Sequence, residues 1–252
     1  MIDGQLETTH IPRANGEPLV RTEGVTRVYL TGRSRVEALR GVTVEVPRGV
    51  FAALKGRSGS GKTTLLNLIG GLDRPTNGEI HLLSQPLSGL TERQLAHLRR
   101  RHIGFVFQSF ALIPTFSALE NVELVLRITG VRQACRQRAL RSLELVGLGP
   151  WARHRPWELS GGQQQRVAVA RALATHPDLI LADEPTGELD NLSGRQIMTL
   201  FRFIVAQESM TVLMATHDPM VEEYADVIYE LDDGRVLGVR NPADEIKTTG
   251  VT

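Results

Sequence analysis

A short apolar run, Phe51-Ala52-Ala53-Leu54, leads directly into Gly56-Arg57-Ser58-Gly59-Ser60-Gly61-Lys62-Thr63 and then into a helical stretch from Thr63 to Ile69. That order limits the fold more than any other part of the chain. An apolar run this short suits a parallel strand buried on both faces. Gly56, Gly59 and Gly61 let the backbone turn tightly and bring N–H groups against phosphate oxygens, where a Cβ would obstruct approach or forbid the required φ. Lys62 adds a cation for the β and γ phosphates, and the Thr63 hydroxyl is placed to hold magnesium. Ser58, Ser60, Thr64 and Arg57 complete the candidate nucleotide-binding loop. The competing explanation is an ordinary glycine-rich turn before a helix, and the preceding strand argues against it.

The rest of the chain repeats this alternation. Leu179–Ala182, Thr211–Ala215 and Val227–Leu231 read as buried strands separated by helical segments, which predicts a parallel α/β sheet. Val25–Tyr29 and Val42–Val46 are β-branched or alternating and predict an edge β-layer, with Gly41 and Pro47 as punctuation. Helices are expected over Leu95–Arg101, Leu119–Ile128 and Ala134–Val146, making a mostly helical insertion over about residues 90–160, in which Trp151 and Trp157 serve as packing residues. The chain thus divides into a polar leader (1–20) expected to be mobile, one domain (21–240) and a tail (241–252). At 252 residues it has enough length for one sizeable core, not for two full domains.

Charge and composition narrow the partners. Lys and Arg total 29 against 28 Asp and Glu, so the balance of +1 carries no footprint of a nucleic-acid binder. A single cysteine, Cys135, excludes an internal disulfide and fits a reducing compartment. The N-terminal residues lack a basic start with an apolar run, and no uncharged apolar stretch approaches the roughly 18 residues that span a bilayer. Any work at a membrane would go through a partner. The basic runs Arg99–His102 and Arg132–Arg141 are expected as solvated helix faces.

Two further motifs carry chemistry. Leu179-Ile180-Leu181-Ala182 ends in Asp183-Glu184, where Asp183 is the candidate magnesium holder and Glu184 the candidate general base for an attacking water. Leu159-Ser160-Gly161-Gly162-Gln163 is a second glycine-rich helix start, far from the first, and its unpaired N–H groups suit the γ-phosphate of a nucleotide held by another subunit. An N-cap serine with glycine in the first turn is the competing explanation. With the phosphate loop, Asp183-Glu184 and this motif in that order, the chain resembles ABC-type ATPases.

The resemblance implies ATP and Mg2+ as cofactors, a P-loop NTPase core with an antiparallel edge subdomain and an inserted helical subdomain, and a head-to-tail dimer of two copies with ATP between them. It implies that Gln108, after Ile103-Gly104-Phe105-Val106-Phe107, touches magnesium and the attacking water, and that His217 contacts the γ-phosphate. Asp190 in Gly187-Glu188-Leu189-Asp190 matches a loop that crosses to the partner, and an N-cap role fits it equally. Tyr29 matches an adenine-stacking aromatic, and a half-buried strand tyrosine fits as well.

A narrower resemblance over about residues 22–240 is to the lipoprotein-release and macrolide-export branch, which also includes the cell-division ATPase. It rests on Val36–Val42, Gly70–Glu79, Phe105–Phe110 and His154-Arg155-Pro156, while Arg57 stands where proline is common. It implies an integral membrane permease as a separate partner and a peripheral position on the cytoplasmic face of the membrane. The apolar residues of Gln108–Phe116 (Phe110, Ala111, Leu112, Ile113 and Phe116) fit either a docking surface or packing within the insertion. A regulatory ATPase driving a cell-wall partner uses the same chemistry. A soluble, non-transport ABC ATPase fits less well, because the chain has no long coiled coil and no second nucleotide domain.

Overall fold

The computed structural model describes residues 16–242 apart from 33 and 132. Most of the expected leader and tail lie outside the described residues. The strands are β1 (Val20–Thr31), β2 (Ser34–Val46), β3 (Phe51–Lys55), β4 (Asn77–Leu82), β5 (Gln85–Pro86), β6 (Ile103–Val106), β7 (Leu179–Asp183), β8 (Thr211–Thr216), β9 (Val227–Asp232) and β10 (Arg235–Arg240). The helices are α1 (Lys62–Ile69), α2 (Glu92–His102), α3 (Ala118–Ile128), α4 (Cys135–Leu145), α5 (Gly161–Leu173) and α6 (Asn191–Glu208).

The central sheet has six strands in the order β10-β9-β3-β8-β7-β6. All of its pairings are parallel except β10 on β9. A parallel strand covered on both faces is apolar along its middle, and β3 and β8 fit, with every residue from Phe51 to Leu54 and from Thr211 to Thr216 buried and only the terminal threonines of β8 polar. Alternate residues of β3 therefore serve two different cores. Phe51 and Ala53 face the layer built by α3, α4, α5 and α6, whereas Ala52 and Leu54 face α1 and the antiparallel sheet. That second sheet runs β2-β1-β4-β5 and includes the two strands expected at the edge. The α/β architecture with an antiparallel edge layer is thus as the sequence predicts.

Within the stretch expected to be mostly helical, β6 pairs with β7 in the central sheet and α2 packs against β6. The helices that stand apart from the sheet are α3 and α4, which pack on each other and on α5. Side-chain caps fix where the helices begin. Thr91 with Gln94, Ser117 with Glu120 and Ser160 with Gln163 each form a reciprocal capping box.

The two tryptophans correct the sequence expectation. Trp151 is 37% and Trp157 61% exposed, because they lie in the short 3₁₀ turns Gly149–Trp151 and Pro156–Glu158, whose inward contacts are made by Ala152 and Pro156 instead. The basic run on α2 is likewise more than a solvated face. Arg99 donates to the Gly71 carbonyl, and His102 pairs through Nδ1 with Asp178 at 2.7 Å.

Candidate functional site

At the C-terminal ends of β3, β7 and β8, four segments converge. The loop after β3 bends so tightly that a Cβ on Gly56 would lie 2.1 Å from the Leu231 carbonyl oxygen. Gly61 has φ +101°, and a Cβ there would meet the Ala38 oxygen at 2.6 Å. Only glycine satisfies both positions. Ser60 Oγ is buried in this loop without a hydrogen-bond partner among the described residues. Lys62, at the start of α1, folds back and donates from Nζ to the carbonyls of Gly56 at 2.8 Å and Arg57 at 3.0 Å.

Asp183 and Glu184 face this loop from the end of β7. The Thr63 hydroxyl donates to Asp183 Oδ1 at 2.9 Å, and Lys62 Nζ stands 3.5 Å from Glu184 Oε1. Burial pushes the Asp183 carboxyl above the usual range, and Glu184 beside it adds to that, while the Thr63 hydrogen bond and Lys62 oppose it. A hydroxyl and a carboxylate meeting at one point are hard oxygen donors of the kind Mg2+ takes. Among the described residues no group of three or more His, Cys, Asp or Glu forms a metal cage, so a cation here would draw on Thr63, Asp183 and Gln108 with oxygens from the substrate.

Glu184 sits in the left-handed region at φ 45°, a conformation that costs about 1–3 kcal/mol for a residue with a Cβ. Its backbone is pinned on both sides, by its N–H to the Ala215 carbonyl at 2.9 Å and by Gly187 N–H to its own carbonyl at 3.0 Å. Its other carboxylate oxygen, Oε2, accepts from His217 N–H at 3.3 Å and lies 2.9 Å from His217 Nδ1. Against an ionised carboxylate, Nδ1 is the nitrogen that carries the hydrogen. A recess of about 580 Å³ opens above this cluster, lined by Ser58, Gly59, Gly61, Lys62, Thr63, Thr64, Gln108 and Glu184 together with Arg35–Ala38, Arg40 and Asp233.

Asp183 and His217 flank Glu184 without lining this recess, and Ser160, Gly161, Gly162, Gln163 and Asp190 also lie outside its lining. Ser160 caps α5, accepting from Gln163 N–H at 3.3 Å while Gln163 Oε1 accepts from Ser160 N–H at 2.9 Å. The first N–H groups of α5, those of Gly161 and Gly162, have no partner within the helix. Asp190 caps α6 by accepting from the N–H groups of Leu192 and Ser193, each at 3.0 Å, and these bonds hold its carboxyl below the usual range. The two helix starts touch. A Cβ on Gly162 would be 3.0 Å from Ser193 Oγ, and one on Gly161 would be 3.5 Å from Leu189.

Tyr29 is likewise not among the residues that line the recess. Its hydroxyl donates to Asp73 at 2.8 Å, and the Arg27 guanidinium lies 4.4 Å from its ring centroid. Those contacts fit a half-buried strand tyrosine and are equally open to a ring that stacks on a base.

Sequence reasoning missed three residues that link these parts. Gln165 is fully buried in α5 and donates to the carbonyls of Pro185 at 2.8 Å and Phe107 at 3.4 Å, bridging the signature helix to the residues beside Glu184 and Gln108. Arg171 donates to the carbonyls of Phe110 and Ala111, both at positive φ. Asn121 grips Ile113 through both its N–H, at 2.7 Å, and its carbonyl, at 3.2 Å. Only Gln165 left a readable sign, lying three residues from both Gly162 and Ala168 on the inward face of α5.

The Gln108–Phe116 segment is divided between the core and a surface groove. Leu112 packs on the main core, whereas Ala111 and Ile113 line a groove of about 500 Å³ with Leu72, Phe105, Phe107, Val125 and Ile128. Phe110 and Phe116 do not line it. Arg99, Arg100 and Arg171 border the same groove.

Comparisons with known proteins agree with this arrangement. The family described as ABC transporter matches residues 39–187. The chain is 46% identical over 224 residues to the lipoprotein-releasing system ATP-binding protein LolD of Chromohalobacter salexigens, covering 88% of this chain and 94% of that protein. It is 41% identical over 235 residues to the macrolide export ATP-binding/permease protein MacB of Hahella chejuensis, covering 92% of this chain and 36% of that one. Among solved structures, the dimeric post-hydrolysis state of the ATP-binding cassette MJ0796 with ADP and Pi superposes with a TM-score of 0.82 at 42% identity, covering 88% of this chain and 98% of that chain.

Proposed function

Because the chain belongs to the ABC transporter family and is an ATP-binding, ATP-hydrolysing cassette, we propose that two copies close on ATP and drive a separate membrane permease from the cytoplasmic face of the membrane, as the LolD and MacB relatives suggest. The observation that carries this reading is the split between the two candidate half-sites. The loop, Asp183, Glu184 and His217 form one cluster, while the helix start at Ser160, proposed to take a γ-phosphate, lies outside that recess and against the helix start capped by Asp190. A helix N-terminus that does not line its own loop's recess is usable by the loop of a second copy.

In this reading the loop N–H groups and Lys62 hold the triphosphate, and Lys62 exchanges the carbonyls of Gly56 and Arg57 for phosphate oxygens. Thr63, Asp183 and Gln108 would hold Mg2+, which when bound supplies charge neutralisation on the phosphate oxygens. Glu184 orients a water toward the γ-phosphorus and accepts its proton, with His217 fixing the carboxylate from the far side. Ser160, Gly161, Gly162 and Gln163 of one copy, with Asp190 beside them, close the other copy's site.

The apolar groove beside Gln108 is the proposed seat of the permease. It lies against the segment that carries Gln108, so a push on one is felt at the other, and its arginine border suits a partner helix with carboxylates on its flank. Leu72 and Ile128, 49% and 56% exposed, can be changed without opening the core. Leu72→Asp with Ile128→Asp is expected to leave the ATPase rate of the isolated chain intact and to abolish copurification with the permease. Assembly that survives both changes contradicts this seat.

A further inference from the structure

We propose that the cleft between α2 and the turn joining β4 to β5 binds the phosphate of an anionic phospholipid headgroup, so that the cassette touches the membrane directly as well as through its permease. This site rests on the permease reading above only for the direction in which α2 faces. The cleft has a volume of about 420 Å³ and is lined by Arg93, His97, Arg100 and His102. Among the described residues no carboxylate lines it. The whole chain carries a net charge of only +1, so two guanidiniums and two imidazoles around one opening are a local build-up, not the mark of a basic protein.

The helix sets this arrangement. Arg93, His97 and Arg100 recur at i, i+4 and i+7 along α2, which puts them on one face, and all three are exposed. Their charge is not taken up by neighbouring acids. Glu92, next to Arg93 in the chain, pairs with Arg74 at 3.2 Å. Arg100 donates from Nε to the Ala96 carbonyl of its own helix at 3.3 Å, and of the four, among the described residues, only His102 has a carboxylate, that of Asp178. Guanidiniums without an acid are the donors that phosphate oxygens take best. Leu83 and Leu90 also line the cleft and pack on the second core, so an apolar stem can lie beside the charged end.

Position favours a lipid over a soluble anion. Arg100 lines both this cleft and the apolar groove proposed for the permease, so a permease seated in the groove brings the cleft to the membrane surface. There the negative potential of the cytoplasmic leaflet draws in each arginine. Size favours a headgroup over a second segment of the permease, since the cleft would hold only roughly one turn of a helix.

The test floats the full chain with vesicles of equimolar phosphatidylglycerol and phosphatidylcholine, and with vesicles of phosphatidylcholine alone. The chain is expected to float with the anionic vesicles only. Arg93 lines the cleft but not the groove, and a glutamate in the first turn of a helix is favourable, so Arg93→Glu should fold and keep the ATPase rate. It should weaken vesicle binding about thirtyfold, for two charge units at the surface, while Arg93→Lys keeps most of it. Arg141→Glu makes the same charge change at an exposed position of α4 and should lose at most about threefold. Equal losses in Arg93→Glu and Arg141→Glu, or no loss in either, overturn the lipid site. Inorganic phosphate that binds the original chain and not Arg93→Glu, with no flotation of either, overturns it too and assigns the cleft to a free anion. Copurification with the permease separates this site from the reading it rests on. Arg93→Glu that floats normally but loses the permease overturns the lipid site and gives the cleft to the protein partner, whereas flotation as expected in a chain that binds no permease overturns the permease reading alone.

Discussion

The cluster around the phosphate loop and the edge around Ser160 differ in how their polar groups are satisfied. In the first, Lys62, Thr63, Asp183, Glu184 and His217 bond one another, with a buried hydroxyl left over at Ser60 and a strained backbone at Glu184. In the second, Ser160 with Gln163 and Asp190 with Ser193 satisfy themselves locally in ordinary helix caps. The strained cluster has groups that must rearrange around a ligand, whereas the capped edge is already in final form and needs only to be brought to one. The proposed function accordingly puts chemistry in the first region and recognition in the second.

Glu184→Gln tests that division most severely. It keeps the shape of the cluster and removes the proton acceptor, so turnover should fall by about 10²–10⁴ in a phosphate-release assay while ATP binding is retained. Undiminished turnover would remove the base from this region. Ser160→Arg places a bulky cation on the recognition edge only. It should bind ATP normally yet fail to dimerise, lowering turnover by about 10²–10³ as expected for losing one preorganised donor at the phosphate.

Two smaller effects sharpen the boundary between the regions. Gln165→Leu strips the Pro185 carbonyl of its buried donor and should cost about 1–3 kcal/mol in denaturant unfolding, because that carbonyl is left unpaired. A variant of unchanged stability would show that the bridge between α5 and the end of β7 is not used. At Asp190, Asn keeps the cap and Ala removes it. If the side chain serves only α6, Asp190→Asn should melt and hydrolyse like the original chain and Asp190→Ala should melt slightly lower. If it also faces the other copy, Asp190→Asn should lose turnover at unchanged melting temperature.

The same contrast explains what was legible in the sequence. Fully buried strands such as β3, β7 and β8 announce themselves as apolar runs, and the glycines of the loop mark a turn that no other residue permits. β4 and β10 were not anticipated, since Asn77–Leu82 and Arg235–Arg240 are half-exposed and mix charges and glycine with apolar residues. β6 is only four residues long and lies between helices, so its membership in the central sheet depends on pairing with β7, which no local pattern encodes.

Site residues divided in the same way. Asp183 and Glu184 were readable from the apolar run ahead of them. The contacts of Tyr29 with Asp73, of Arg171 with Phe110 and of Gln165 with Pro185 join residues far apart in the chain and leave no periodic trace. Trp157 was misjudged because hydrophobicity alone sends tryptophan inward, while the 3₁₀ turn of Pro156–Glu158 gives the inward position to proline.

The dependence of ATPase specific activity on protein concentration addresses the split site most directly. Two half-sites that only a second copy can join predict that activity per chain rises with concentration and levels off as dimers form, with sedimentation showing the dimer over the same range. Constant activity per chain in a preparation that stays monomeric throughout would contradict the account.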